Sequence, residues 1–228
     1  MSSPSFRHLD IIASFFVGIL IVSNIASSAK IVDMGVSIFS IPLVFDGGTL
    51  LFPLVYVLGD VLTEVYGFKT ARRVIWTGFA AMALTVLVFF TLGALPSEAF
   101  WEAETGSVAY NAVLGGMSYG GIVAASLCAY LAGEFTNAAI LSRLKVRMKG
   151  RLLFVRTIGS TLIGELLDTL IFVLIATLAG VFDREIFWSL VLTNYILKCG
   201  IEVLMTPFTY WASGLLKRKE GVDVYDTR

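Results

Sequence analysis

The sequence predicts an all-α integral membrane protein with about six transmembrane helices, from its hydropathy, the length of its apolar segments and the placement of its basic residues. Hydrophobic residues make up 57% of the 228 residues, charged residues only 15%, and the mean hydropathy is +0.85. A bilayer core needs about 20 apolar residues in helical form, because unsatisfied backbone groups are too costly in hydrocarbon. Six segments are long enough: residues 11–29, 48–65, 74–95, 118–141, 158–179 and 186–204.

The first apolar segment follows Arg7 and is predicted to span the membrane. It is too long for a secretory signal, and no small-residue cleavage site leads from it into a polar mature domain. After it, residues 31–42 alternate loosely between apolar and polar and end at a proline. We interpret this stretch as a short extended segment, and the sequence leaves open whether it re-enters the membrane or lies at the interface.

The second span contains Gly47, Gly48 and Pro53 at or near its start. Glycine and proline can interrupt a helix, as in transporters whose binding sites lie at broken helices. A continuous helix with a kink is the favoured prediction for this span, with an interrupted helix as the alternative.

Basic residues flanking the spans predict the orientation, because Lys and Arg next to spans are retained on the cytoplasmic side. Most of the 17 basic residues fall on one side, which places both termini in the cytoplasm and independently favours an even number of spans. The longest polar connection, residues 96–111, is too short to bury a core of its own, so residues 1–228 are predicted to form a single transmembrane domain.

Polar side chains recur at helical spacing inside the later spans. Ionisable groups there cost at least about 2.5 to 3.5 kcal/mol each, so they normally mark a pathway or a site. Residues three or four apart share a helix face and can point into one interior. The sets are Asp60 with Glu64, Glu134 with Asn137, Glu165 with Asp168, and Asn194 with Lys198 and Glu202.

A purely structural role is an open alternative for several of these groups. Glu165 and Asp168 lie at mid-depth of the fifth span, which favours solute binding or coupling. Lys198 is as compatible with a structural ion pair as with a site. For the acids nearest the cytoplasmic ends, Asp60, Glu64 and Glu134, pairing with Arg72, Arg73 or Arg143 is as well supported as a functional role.

A second pattern suggests internal symmetry. Gly59 and Asp60 in the second span correspond to Gly164 and Glu165 in the fifth, and these spans would run in opposite directions. An inverted three-plus-three repeat has this property. A Gly-acid pair also occurs at residues 133–134, so chance is the alternative explanation.

Motifs for soluble chemistry are missing from the sequence. There is no phosphate-binding Gly-x-x-x-x-Gly-Lys loop, and a single histidine with two cysteines forms no zinc set or catalytic triad. The formal net charge of zero gives no basic field to attract nucleic acid. We therefore expect no enzyme activity, no cofactor, no metal and no nucleic-acid partner; the lipid bilayer and a small polar solute are the expected partners, and a homodimer is compatible with so small a chain.

Three long segments together resemble the queuosine precursor transporter family, also called the vitamin uptake transporter family. They are FPLVYVLGDVLTEVYGFKTARRVIWTGF at residues 52–79, GEFTNAAILSRLKVRMKGRLLFVRTIGSTLIGELLDT at residues 133–169, and NYILKCGIEVLMTPFTY at residues 194–210. The resemblance covers nearly the whole chain. It implies a six-helix importer in the inner membrane whose cargo is 7-cyano-7-deazaguanine or 7-aminomethyl-7-deazaguanine.

Such a cargo suits the polar residues of the spans. The edge of a guanine-like base offers adjacent N–H donors to a carboxylate, and its flat ring suits an aromatic neighbour. Glu165 is the first choice for that carboxylate. The other predicted substrate-binding residues are Asp168, Glu134, Asn137, Asn24, Lys198, Asn194, Asp60 and Tyr56, and the predicted gating or ion-pair residues are Arg156, Glu64 and Glu202.

The main prediction is a carrier that alternates access around a midplane polar site. The alternative is a solute-binding membrane subunit that relies on a separate ATPase, like the small components of energy-coupling-factor importers. The sequence leaves open which deazaguanine is carried and whether transport is proton-coupled or passive.

Overall fold

A computed structural model describes residues 6–38, 41–118 and 121–226 of the chain. Within these residues five helices are long and apolar enough to cross a membrane. The protein is thus an all-α integral membrane protein, as predicted, with one small β-hairpin added. The long helices are α1 (Leu9–Ala29), α3 (Phe68–Ala94), α6 (Gly121–Arg147), α7 (Leu153–Leu178) and α8 (Phe187–Glu220), and α2 (Phe52–Tyr66) is shorter.

The segment after α1 forms an antiparallel hairpin of β1 (Ile31–Ile38) and β2 (Ile41–Asp46). Residues 39–40, which belong to the predicted extended segment, lie outside the described part of the chain. The strand β2 packs against α8, and the Ser189 hydroxyl donates to the Pro42 carbonyl. The hairpin therefore follows α1 along the chain and packs against the last long helix.

The second predicted span is interrupted, so the continuous kinked helix was the wrong choice. A 3₁₀ turn (Gly47–Leu50) precedes α2, whose first turn contains Pro53. The backbone of the turn lies directly on α1: a Cβ at Gly47 would lie 2.6 Å from the carbonyl oxygen of Ala26. Fifteen helical residues reach only about 22 Å, less than the hydrocarbon core, so α2 is a short helix buried within the protein.

The connection predicted as a polar loop at residues 96–111 is largely helical. It contains α4 (Ala99–Glu104) and α5 (Gly106–Ser118). The helix α5 packs on α1 and α3, where the Tyr110 hydroxyl donates to the Phe89 carbonyl at 3.1 Å. Residues 119–120, at the head of the fourth predicted span, lie outside the described residues.

The last helix runs well past the predicted end of the sixth span at residue 204. It continues through Pro207 to Glu220. Proline is tolerated inside membrane helices because neighbouring groups and local adjustments satisfy the freed backbone carbonyl. The extension carries the polar C-terminal end of α8 to the same end of the protein as the turn between α2 and α3.

Burial is inverted relative to a soluble protein. Leu204 is 79% exposed and Trp188 is 63% exposed, whereas Arg156 and Glu165 are fully buried. Apolar outer faces suit lipid, and polar groups at membrane depth normally face the interior of a helical bundle. The packing of α2, α6, α7 and α8 therefore encloses a polar interior.

Candidate functional site

Four helices contribute buried polar side chains to one cluster, called the polar cluster below. The short helix α2 contributes Tyr56 and Asp60 from one face, since they are four residues apart. In each of the other helices, the predicted spacing places the polar residues on the inward face. The full set is Tyr56 and Asp60 of α2, Glu134 and Asn137 of α6, Glu165 and Asp168 of α7, and Lys198 and Glu202 of α8, each no more than 4% exposed.

Contacts between α2 and α6 bring two acids of the polar cluster together. The Asn137 side-chain amide donates to Oδ1 of Asp60 at 2.8 Å. A Cβ at Gly59 would lie 2.8 Å from Oε2 of Glu134, so the carboxyl group lies directly against the backbone of α2. Asp60, Glu165 and Asp168 are all near enough to Glu134 to interact with it electrostatically.

Lys198 joins α8 to α7. Its Nζ donates to Oδ2 of Asp168 at 2.5 Å and lies 3.4 Å from Oε2 of Glu165, an ion-pair distance without hydrogen-bond geometry. The ammonium also lies 4.8 Å from the ring centroid of Phe52, at the start of α2. This cation is therefore held by two carboxylates and an aromatic face.

Many polar atoms of the cluster have no hydrogen-bond partner among the described residues, although Oε2 of Glu165 lies in an ion pair with Lys198. A buried polar atom without a partner costs about 1 to 3 kcal/mol, so several in one place indicate a site prepared for something else to bind. Because most of these atoms are carboxyl or amide oxygens, the missing partner should present hydrogen-bond donors. They are the Tyr56 hydroxyl, Asp60 Oδ2, Glu134 Oε1 and Oε2, Asn137 Oδ1, Glu165 Oε1 and Oε2, and Glu202 Oε2.

Two glycines let α6 and α7 approach closely beside these atoms. A Cβ at Gly164 would lie 3.0 Å from the carbonyl oxygen of Gly133. A Cβ at Gly133 would lie 2.7 Å from the Cβ of Asp168, and the Tyr56 hydroxyl lies closer still. Small residues at such crossings let membrane helices pack backbone to backbone. The crossing thus sets the positions of Tyr56 and Asp168 in the cluster.

Gly133→Ala should lower uptake at least about tenfold, because the new methyl group would displace Tyr56 and Asp168 by several tenths of an ångström. Gly159→Ala in α7 is the matched control, since nothing lies within 4 Å of a Cβ there. Uptake into proteoliposomes and the midpoint of thermal unfolding would be measured for both variants. Unchanged uptake by Gly133→Ala would show that the crossing does not position the cluster.

A separate ion-pair cluster surrounds Glu64, one turn beyond Asp60 on α2. Nη1 and Nη2 of Arg156 donate to its two carboxylate oxygens at 2.5 and 3.2 Å, and both side chains are fully buried. Nζ of Lys217 donates to Oε1 of Glu64 at 2.6 Å. Nζ of Lys145 donates to the Glu64 backbone carbonyl at 2.5 Å. The partners of the Glu64 carboxylate are therefore Arg156 and Lys217, and not Arg72, Arg73 or Arg143 as the structural alternative predicted.

The chain beyond α8 folds back onto this ion-pair cluster. Nζ of Lys145 donates to the Val224 carbonyl and to Asp223 at 2.6 Å, and Ser142 donates to Asp226 at 2.7 Å. Partial burial opposes ionisation of Asp223, but hydrogen bonds from Lys145 and Lys217 hold its pKa below the usual value. The tail thus fastens α6 and α8 beside Glu64.

A third polar network holds the interrupted helix in place. Asp46 is buried and accepts hydrogen bonds from the Ser27 hydroxyl, from Thr49 at 2.9 Å and from the Asn194 amide at 3.0 Å. The Thr49 hydroxyl also lies 3.1 Å from Oδ1 of Asn194. Asp46 was not among the residues that the sequence analysis singled out. The Gly-Gly pair after Asp46 was the available signal.

Two predicted substrate-binding residues lie apart from the polar cluster. Asn194 bonds to Asp46 and Thr49, at the start of the interrupted helix. Asn24 donates to the carbonyl of Leu20 one turn earlier in its own helix. The other predicted substrate-binding residues come together in the cluster, and Glu202 joins them although it was predicted as a gating or ion-pair residue.

Comparison with known proteins gives the following similarities. The profile of the family described as "Putative vitamin uptake transporter" matches residues 46–212. The chain is 26% identical over 174 residues to the "Probable queuosine precursor transporter" of Bacillus subtilis (strain 168), covering 76% of this chain and 73% of that protein. It is 26% identical over 194 residues to the "Queuosine precursor transporter" of Escherichia coli (strain K12), covering 84% and 82%. No solved structure matches the chain.

Proposed function

The chain belongs to the vitamin uptake transporter family, and on this premise we propose that it imports a queuosine precursor by alternating access around the polar cluster. Membership makes it a multi-pass membrane transporter rather than an enzyme. The proposed cargo is 7-cyano-7-deazaguanine or 7-aminomethyl-7-deazaguanine, since two relatives carry the name of a queuosine precursor transporter.

The main support for this proposal is the set of carboxyl and amide oxygens in the polar cluster that accept no hydrogen bond from the described residues. A guanine-like edge presents adjacent N–H donors, which match carboxylate oxygens such as those of Glu165. Asn137 can donate or accept on the same edge. Tyr56 supplies an aromatic neighbour for a flat ring. The cluster therefore offers the acceptors and the ring contact that a deazaguanine requires.

Alternating access needs a site enclosed within the membrane and contacts that can open on either side of it. The cluster residues are buried in this structure, which corresponds to an occluded arrangement. We propose that the ion pairs of Glu64 with Arg156 and Lys217 form the cytoplasmic gate, since charge pairs can separate and reform as helices move. The interrupted start of α2 would serve as the hinge.

The proposed location is the inner (plasma) membrane, with both termini cytoplasmic and residues 1–228 forming one transmembrane domain. The basic residues at the ends of α6 and α8 support this orientation. The oligomeric state and the inverted repeat stay predictions.

The deciding experiment is uptake of a labelled deazaguanine by the purified full-length chain in liposomes. Uptake by the chain alone would support a self-sufficient carrier, whereas binding without uptake would favour the subunit that needs a separate ATPase. Glu165→Gln should lower uptake at least about tenfold, because the amide replaces two acceptor oxygens with one acceptor and one donor.

Glu104→Gln, an exposed acid of α4, is the matched control for Glu165→Gln. The two variants should have similar midpoints of thermal unfolding within a few degrees. Full uptake and unchanged affinity in Glu165→Gln would remove this residue from the proposed site.

A further inference from the structure

Acidic side chains outnumber basic ones in the described polar cluster. Its one described cation is Lys198, whose ammonium is already bound by Asp168 and Glu165. The buried guanidinium of Arg156 is held by Glu64 in the separate ion-pair cluster. Against this one cation stand five buried acids: Asp60, Glu134, Glu165, Asp168 and Glu202.

Glu134 and Glu202 are two acids of the cluster whose charged neighbours are other acids. Asp60, Glu165 and Asp168 lie near enough to Glu134 to interact with it electrostatically, and all three are acids. Glu202 likewise interacts with Asp60, Glu165 and Glu134. The two side chains are 1% and 2% exposed, so they are shielded from bulk water. Within the described part of the chain, neither acid forms an ion pair with a lysine or an arginine.

The unpartnered oxygens at these two residues match the donors of an ammonium group. Oε1 and Oε2 of Glu134 and Oε2 of Glu202 have no partner among the described residues. A primary ammonium has three N–H donors and one positive charge, and no acceptor. A buried carboxylate without a partner is strongly unfavourable, whereas a hydrogen-bonded ion pair offsets that cost.

We infer that Glu134 and Glu202 form a subsite for a primary ammonium group, so that the transporter prefers a base carrying a protonated aminomethyl arm over its neutral nitrile analogue. This inference rests on the proposed function and adds to it which of the two deazaguanines is favoured. An alkyl amine is protonated at neutral pH, as lysine is, and the nitrile carries no charge. Only the first compound brings the missing cation into the cluster.

Binding of matched ligands to the full-length protein in nanodiscs tests this inference without any variant. The ligands are 7-aminomethyl-, 7-hydroxymethyl- and 7-cyano-7-deazaguanine, and the first two are nearly the same size and differ in charge. The aminomethyl compound should bind at least about tenfold more tightly than either neutral compound, because a buried ion pair forms only with it. Equal affinity for the aminomethyl and hydroxymethyl compounds would overturn the ammonium subsite.

Glu134→Gln and Glu202→Gln provide the second measurement. Each should weaken binding of the aminomethyl compound at least about fivefold more than it weakens binding of the cyano compound, because only the aminomethyl compound loses an ion pair. Glu104→Gln, remote and exposed, should change neither affinity. An equal loss of affinity for both compounds would mean that these residues do not distinguish the charged compound from the neutral one.

The outcomes separate the two proposals. If the wild-type protein binds the neutral and the charged compound equally, the ammonium subsite is wrong and the proposed function stands. If the wild-type protein binds neither compound, the proposed function is wrong, and the inference fails with it. Should a variant not fold, the comparison of ligands on the wild-type protein still decides.

Discussion

Lys198→Met is expected to abolish uptake, with a loss of at least about 100-fold, and to lower the free energy of unfolding by about 3 to 5 kcal/mol. Methionine keeps most of the length of the lysine side chain but removes its charge. Asp168 then loses its 2.5 Å hydrogen bond, and Glu165 loses its ion pair in a buried environment. Removing one partner of a buried pair is costly because the other charge is left uncompensated.

Uptake into proteoliposomes and chemical or thermal unfolding would measure the two effects of Lys198→Met. Lys219→Met is the matched control, because this lysine is exposed in the last turn of the same helix. Adding Asp168→Asn to Lys198→Met should restore much of the stability, since it removes a stranded charge, without restoring uptake. Near-normal uptake by the single variant would exclude Lys198 from the transport site.

Arg156→Leu should likewise lower the free energy of unfolding by about 3 to 5 kcal/mol. Its guanidinium is fully buried, donates to both oxygens of Glu64, and also bonds the backbone carbonyls of Arg151 and Gly150. Leucine would leave these acceptors without their donor. Lys217 stays bonded to Glu64 and limits the loss.

Unfolding of the detergent-solubilised protein would measure the effect of Arg156→Leu. Arg143→Leu, an exposed arginine of α6, should change the stability by less than about 0.5 kcal/mol. The double variant Arg156→Leu/Glu64→Leu should be more stable than Arg156→Leu alone, because both buried charges are removed together. A single variant as stable as the wild-type protein would show that the pair contributes nothing.

Much of the architecture follows from local sequence patterns. The lengths of the apolar segments predict the five long helices of the described chain. The hydrocarbon core requires a continuous hydrogen-bonded helix regardless of which helices pack beside it. The spacing of Glu165 and Asp168 or of Lys198 and Glu202 predicts which residues share a face, because the helical period is fixed.

The interrupted second span shows where local patterns were insufficient. Gly47, Gly48 and Pro53 are compatible with a kink and with a break. The break occurs because the glycine backbone packs directly on α1. In addition, Asp46 accepts hydrogen bonds from Ser27 and Asn194, which are distant in the sequence. No local pattern reveals these long-range contacts.

The candidate site shows the same contrast between local sequence patterns and long-range contacts. Hydropathy and helical period are properties of neighbouring residues, so the sequence was enough to predict that this chain crosses a membrane and that acids lie within its helices. The partners of those acids follow from the three-dimensional packing: Arg156 binds Glu64, Lys198 binds Asp168, and Glu134 lies near other acids. Pairing depends on which helix faces meet, and electrostatic interactions act across short distances in space whatever the separation along the chain.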